Sequence, residues 1–174
     1  MIPIPHNDTE RIDTLHSYEV LDTPKEMSFD ALTRLAARIF GVPIALVSLV
    51  DEDRQWLTSS HGLDTEQTPR DPAFSTYAVM DNEPLIVLDA TQDERFRDNP
   101  LVTADPGIRF YAGAPLVTPD AYRIGTFCVI DTTTRAGFAG FERNHLNEFA
   151  ATTIDIPEMR HRLLVGTAQA TAAE

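Results

Sequence analysis

Between Ile108 and Leu116 the side chains alternate. Ile108, Phe110, Ala112, Ala114 and Leu116 are apolar, whereas Arg109, Tyr111, Gly113 and Pro115 form a mixed set. A period of two is the mark of a strand whose successive side chains face opposite sides of a sheet. One face of this strand is thereby committed to a core. The other carries Arg109 and Tyr111 beside a glycine, which leaves room for something other than core. The charged stretch Asp93-Glu94-Arg95-Phe96-Arg97-Asp98-Asn99-Pro100-Leu101-Val102 runs into it and can form a wall. Two readings stay open on these residues: the floor and one side of a small-molecule pocket, or a loop packed on an ordinary sheet.

The rest of the chain supplies partners for that strand. Asn7-Asp8-Thr9-Glu10 reads as a capping box ahead of a short helix bearing Ile12, Leu15 and Tyr18. Thr23-Pro24-Lys25-Glu26 reads as a second start, with Thr23 as cap and Pro24 in the first turn. Phe29, Leu32, Ala36, Ile39 and Phe40 follow at helical spacing until Gly41 and Pro43. Ile44 to Val50 is apolar on both faces, so it is expected to be a central strand covered on both sides. Asp51-Glu52-Asp53 is a polar turn, and Arg54 to Ser60 is the return strand of a hairpin. Gly62 to Arg70 reads as loop, Asp71-Pro72 as the start of a helix over Ala73 to Met80, and Leu85 to Leu88 as a short strand. Tyr122 to Asp131 pairs back onto the strand ending at Leu116. Phe141, Leu146, Phe149, Ala150 and Ile154 form the stripe of a last helix, which Pro157 is expected to kink or restart. From Gly166 the chain is Ala- and Thr-rich and is expected to fray. The order suits an α+β fold: a mainly antiparallel sheet with terminal helices on one face and irregular connections on the other.

Bulk properties exclude several function classes. The chain has 174 residues, 43% of them hydrophobic, which fits one domain with its own core. A formal net charge of −13 opposes binding to nucleic acid and to anionic membrane surfaces. No basic stretch followed by an apolar run marks a secretory signal, and no apolar run reaches the roughly 20 residues of a membrane span. The single cysteine, Cys128, cannot close an intramolecular disulfide, so a reduced cytoplasmic setting is expected.

Several of these segments, in this order, resemble the GAF domain family. They are Leu21-Asp22-Thr23-Pro24, Phe29-Asp30, Val42 to Asp51, Asp53-Arg54-Gln55-Trp56 and Thr68-Pro69-Arg70. Asp93 to Phe96, Asn99 to Val102, Arg109 to Gly113 and Gly125 to Asp131 continue the match. The subgroup is the one found at the N-terminus of bacterial sensor kinases and diguanylate cyclases. The resemblance implies a six-stranded antiparallel sheet, a ligand cavity walled by short helices and loops on one face, and terminal helices on the other. It also implies a sensory role in bacterial signal transduction and dimerisation through the helices. The expected organisation is an N-terminal helical segment over 1–22, the GAF domain over 23–165 and a tail over 166–174. With no kinase, cyclase or phosphodiesterase sequence following, a free-standing module is expected, with an unidentified small molecule, a second copy of the chain and a signalling protein as partners. Two departures stand out: Ser75 lies where many relatives carry cysteine, and Pro157 interrupts the helix that would pass a signal onward.

The ligand-binding residues expected on this basis are Trp56, Phe74, Tyr77, Asp93, Phe96, Asn99, Arg109 and Tyr111. Aromatics with a few placed polar groups suit such a cavity. Arg109 could meet a carboxylate or phosphate, or instead pair with Asp93 or Asp98. Phe96 could equally anchor its loop to the sheet, Asn99 could turn the chain before Pro100, and Arg70 could tie down its own loop. Phe110 falls on the core face. No histidine pair has metal-site spacing, and no phosphate loop or catalytic triad pattern occurs, so neither metal, cofactor nor catalytic residue is expected. Cys128, placed by alternation beside Ile124, Thr126 and Ile130, is expected to be buried and inert. The competing reading is a free methionine sulfoxide reductase, whose attacking thiolate needs a second thiol to complete the cycle. A third is a ligand-free dimerisation or partner-binding domain. Bilin attachment requires a thiol that Ser75 lacks.

Overall fold

The computed structural model describes residues 2–173. Two helices, α1 (Asp8–Ser17) and α2 (Met27–Phe40), precede a hairpin of β1 (Ile44–Val50) and β2 (Arg54–His61). After β3 (Gln67–Pro69) come the one-turn helix α3 (Ser75–Ala78), β4 (Leu85–Val87) and α4 (Pro100–Thr103). β5 (Phe110–Val117), β6 (Arg123–Asp131) and the long α5 (Gly140–Ala173) complete the chain. The six strands form one antiparallel sheet in the order β3-β2-β1-β6-β5-β4. Among the described residues no helix is long and apolar enough to cross a membrane.

The sheet separates two layers. On one face, α1, α2 and α5 bring Leu15, Phe40, Leu146 and Phe149 onto Val47, Phe110, Ala114 and Phe127. On the other, Ile44, Leu46, Cys128 and Ile130 meet Phe74, Phe96 and Val102 from the short helices and loops. β1 is buried at every position, because its two apolar faces are covered by different layers. α2 stops where Gly41 takes the left-handed conformation at φ 64°, and Val42 N–H closes onto the Ala37 carbonyl.

Several expectations are corrected. Thr23 is not a helix cap: its hydroxyl donates to Val20 O, and α2 begins at Met27. Asn7 occupies the N-cap position of α1 without bonding through its side chain, and Asp8 is drawn instead to Arg11 and Arg70. The sixth strand, β3, lies inside the stretch expected to be loop. It is three residues long, too short for any period to show, and is held by pairing with Arg54, Gln55 and Trp56. The helix expected over Ala73 to Met80 is a single turn over Ser75–Ala78. The Asp93 to Pro106 loop contains α4, capped by Asn99, whose side chain accepts the Leu101 N–H at 2.9 Å. β5 begins at Phe110, so Ile108 leaves the alternation and joins the layer opposite Phe110.

A bulge breaks the alternation of β6. Leu116 pairs with Gly125 and Val117 with Arg123, leaving Ile124 as the extra residue. Ile124 therefore packs on the helix side, not beside Cys128. Lastly, α5 runs through Pro157 without a restart and is helical from Gly140 to Ala173. The proline costs one intrahelical hydrogen bond, but Ile154 and Pro157 are both buried near Val20 and Phe29, and this packing keeps the turn in place.

Candidate functional site

The layer opposite the long helices is incompletely filled. A cavity of about 230 Å³ lies over the centre of the sheet. Its floor is Ile44 and Leu46 of β1, Cys128 and Ile130 of β6, and Tyr111 of β5. Phe74 and Ser75 at the start of α3, Leu101 of α4, Pro106 and Ile108 after it, and Leu63 and Thr65 between β2 and β3 make the walls. No Lys, Arg, Asp or Glu lines it. The void exceeds the roughly 150 Å³ that accepts benzene and falls below the roughly 300 Å³ where drug-sized sites begin. An apolar space of this size suits a small, uncharged guest.

One end of the cavity is polar. Ser48 Oγ lies 2.9 Å from Gln55 Oε1 and 2.8 Å from Ser75 Oγ, and Ser75 Oγ lies 3.0 Å from Thr126 Oγ1. Tyr111 Oη approaches Ser75 Oγ at 3.4 Å, and Gln55 donates to the Thr68 hydroxyl at 3.1 Å. These groups satisfy one another in a setting where an unpaired polar atom would be costly. Burial pushes the Tyr111 phenol well above its ordinary pKa, so it stays a neutral donor. The phenol folds back along its own strand: a Cβ on Gly113 would come within 2.3 Å of Tyr111 Oη. Gly113 is thus required for Tyr111 to reach the hydroxyl cluster.

Cys128 is 1% exposed, and burial pushes its thiol up to about 12. Neither a Lys nor an Arg approaches to stabilise a thiolate among the groups that shift it.

Of the eight residues expected to bind ligand, Phe74 and Tyr111 line the cavity. The other six are placed elsewhere. Trp56 points to the helix side, beneath the Arg54 guanidinium at 5.5 Å. Phe96 is fully buried and stacks on Phe74 at 4.1 Å, with Tyr77 against its edge at 4.8 Å, so both back the wall rather than face the void. Asp93 is bound by Arg95 at 2.7 Å, a hydrogen bond that holds its carboxyl below the usual range. Asn99 caps α4 and donates to Pro72 O at 2.9 Å, tying one wall to the other. Arg109 pairs with neither Asp93 nor Asp98. It donates to the carbonyls of Val102 and Ile108 and so fastens the loop that carries Leu101 and Pro106.

Sequence reading passed over most of the floor. In β1 both faces are apolar, and alternation alone could not tell which set meets solvent-sized space. The available signal was the hydroxyl of Ser48 inside an otherwise apolar strand, matched by Thr126 and Ser75.

Comparison with known proteins agrees with this architecture. Residues 25–153 match the family model described as GAF domain. A cyclic di-GMP phosphodiesterase of Pseudomonas aeruginosa is 40% identical over 148 residues, which are 85% of this chain and 25% of that protein. The chain therefore spans a quarter of the length of that relative. Among solved structures, the GAF domain of an Acinetobacter phosphoenolpyruvate-protein phosphotransferase superposes with a TM-score of 0.63 at 18% identity, covering 88% of this chain and 96% of its own. The blue-light-absorbing form of the PixJ GAF domain of Thermosynechococcus elongatus gives 0.66 at 11% identity, covering 93% and 96%. At such identities the structural matches speak to the fold alone.

Proposed function

We propose that this chain, which belongs to the GAF domain family, is a sensory module that holds a small neutral ligand without a covalent bond. The observation that carries this reading is the cavity over β1 and β6, apolar along its length with hydroxyls at one end. Its lack of a lining cation argues for a guest without phosphate or carboxylate, because a buried anion needs a paired charge. An aromatic or branched aliphatic body with one hydroxyl or carbonyl fits: the body over Leu46 and Ile130, the polar atom at the Ser75 end. The identity shared with a phosphodiesterase that acts on cyclic di-GMP supports a place in bacterial signalling, where a module of this kind regulates a neighbouring domain or partner. A role in binding rather than redox catalysis is supported by Cys128, whose burial pushes its pKa up and keeps it a thiol, not the attacking thiolate.

The module is proposed to work as a homodimer. Leu35 and Ile39 on α2 and Phe141 on α5 are large apolar side chains left 47%, 51% and 63% exposed on the helix layer. Native mass spectrometry of freshly purified protein tests both points. A dimer carrying extra mass from a neutral small molecule is expected. A bare monomer, with a melting temperature unmoved by small aromatic alcohols, would overturn the reading.

A further inference from the structure

Three charged side chains join the helix layer to the cavity layer around the end of the sheet. Arg70 stands just before the wall segment, and its side chain is only 4% exposed. Its two terminal nitrogens grip Asp8 of α1, each at 3.0 Å, and one also donates to the carbonyls of Asp51 and Glu52 at 3.2 and 3.1 Å. Asp8 accepts in addition from Arg11 Nε at 2.8 Å, and Arg11, 1% exposed, donates to Val50 O at 2.6 Å. Burial alone would raise the Asp8 carboxyl, but its bonds to Arg70 and Arg11 outweigh burial and hold it low.

The backbone of Arg70 is equally engaged. Its carbonyl accepts the Thr76 hydroxyl at 2.8 Å and the Ala73 N–H at 3.0 Å. Ala73, Phe74 and Ser75, which line the cavity, follow directly. The far end of the same segment is held by Arg123, which donates to Val79 O at 2.6 Å, and the carbonyl of Arg123 faces Arg11 at 3.5 Å. Asp8 and Arg11 of α1 therefore touch both anchors of the wall segment 70–79, although α1 packs on the opposite face of the sheet. None of Asp8, Arg11 and Arg70 lines the cavity.

We infer that Asp8, Arg11 and Arg70 are positioning residues for the cavity: they set the wall segment 70–79 from α1, so that filling the cavity and seating α1 form one coupled equilibrium. This rests on the cavity being a ligand site. A shift in the wall cannot be absorbed locally, because a guanidinium leaving Asp8 would strand a buried charge. Linkage then requires reciprocity: a guest that steadies α1 must bind less well, by the same factor, when α1 is loosened.

Hydrogen exchange on the whole chain tests this. Asp8→Asn removes the ion pairs without touching the cavity. It is expected to speed exchange in both residues 8–17 and residues 71–79, by about tenfold or more given the buried charges released. Arg70→Lys, which keeps the charge and loses the two-pronged grip, should loosen the same two segments. Asp13→Asn, on an exposed turn of α1, should loosen neither. Faster exchange confined to 8–17 in both cluster variants overturns the inference. Benzene serves as the cavity probe, followed through the methyl shifts of Ile44 and Ile130. In the wild type it should slow exchange in both segments, and Asp8→Asn should weaken it by the factor through which it protects α1. Benzene that protects 71–79 and leaves α1 unchanged also overturns the inference. Benzene that does not bind at all overturns the ligand-site reading, while exchange in the empty protein still decides the positioning claim.

Discussion

The two faces of the sheet solve different problems with similar side chains. On the helix face, Phe127 stacks on Phe149 at 5.1 Å, Ala112 and Ala114 are fully buried, and the hollow left against the sheet beside Val47, Leu49 and Ile124 is about 10 Å³. On the other face Leu46, Cys128 and Ile130 are as well shielded from solvent, yet they border about 230 Å³ of unfilled space. Long amphipathic helices can close-pack against a sheet, because ridges of side chains interdigitate along their whole length. One-turn helices and loops cannot, and they are held off the sheet by their own tethers: Asn99 to Pro72, Arg109 to Val102 and Ile108, and Arg70 to Asp8. Low solvent exposure is thus not the same as close packing, and directly over the sheet it is the second face that keeps the larger void.

The contrast can be broken most forcefully on the packed side. Phe127→Ala removes a fully buried ring from the stack and should cost about 3–5 kcal/mol, read from urea denaturation. A loss below about 1.5 kcal/mol would mean the helix face is no better packed than its opposite. The same comparison sharpens when volume is added instead. Ala114→Leu pushes methylenes into a full layer and should cost about 1–3 kcal/mol. Cys128→Leu, one strand away on the other face, should fill part of the void with a stability change within about 1 kcal/mol, and should abolish benzene binding. Equal penalties at the two positions would show that the cavity closes in solution.

The smallest effect is electrostatic. Burial would raise the carboxyls of Asp8 and Asp51, but hydrogen bonds from Arg70 and Arg11 to the first, and from His16, the Glu52 N–H and Arg54 to the second, hold both below the ordinary value of 3.8. A carboxyl with a lower pKa in the folded state stabilises the protein above its unfolded pKa, and that contribution is lost as pH falls through the folded value. The urea midpoint should therefore hold steady from pH 7 to 5 and drop below about pH 4. Asp51→Asn should flatten that drop. An acid limb unchanged in the variant would remove Asp51 from the account.

How far the sequence could be read follows from this division. The stripe of α2, the apolar strand Ile44 to Val50, the hairpin after it and the pairing of the last two strands all depend on local periods, and each is present at close to its expected bounds. β3 escaped because three residues show no period. Ile108 and Ile124 were assigned to the wrong faces because alternation presumes an unbroken ladder, while β5 starts late and β6 carries a bulge. Among the site residues, Phe74 and Tyr111 were recognisable as aromatics beside small neighbours. Trp56, Tyr77, Phe96, Asp93, Asn99 and Arg109 looked equally suitable by type. Their burial behind the wall, or their use as loop tethers, depends on segments far away in the chain.

By itself, the order of residues determined that this is an α+β chain with a sheet covered on two sides, because the period of hydrophobic side chains is a property of each segment alone. It also determined that one strand has an unusual mixed face, the one bearing Tyr111 and Gly113. Only the tertiary structure decided which side stays open and which residues border the opening. A void is a relation among elements: it depends on how closely α3, α4 and their loops can approach the sheet, and this is set by contacts such as Arg70 with Asp8, 62 residues apart in sequence.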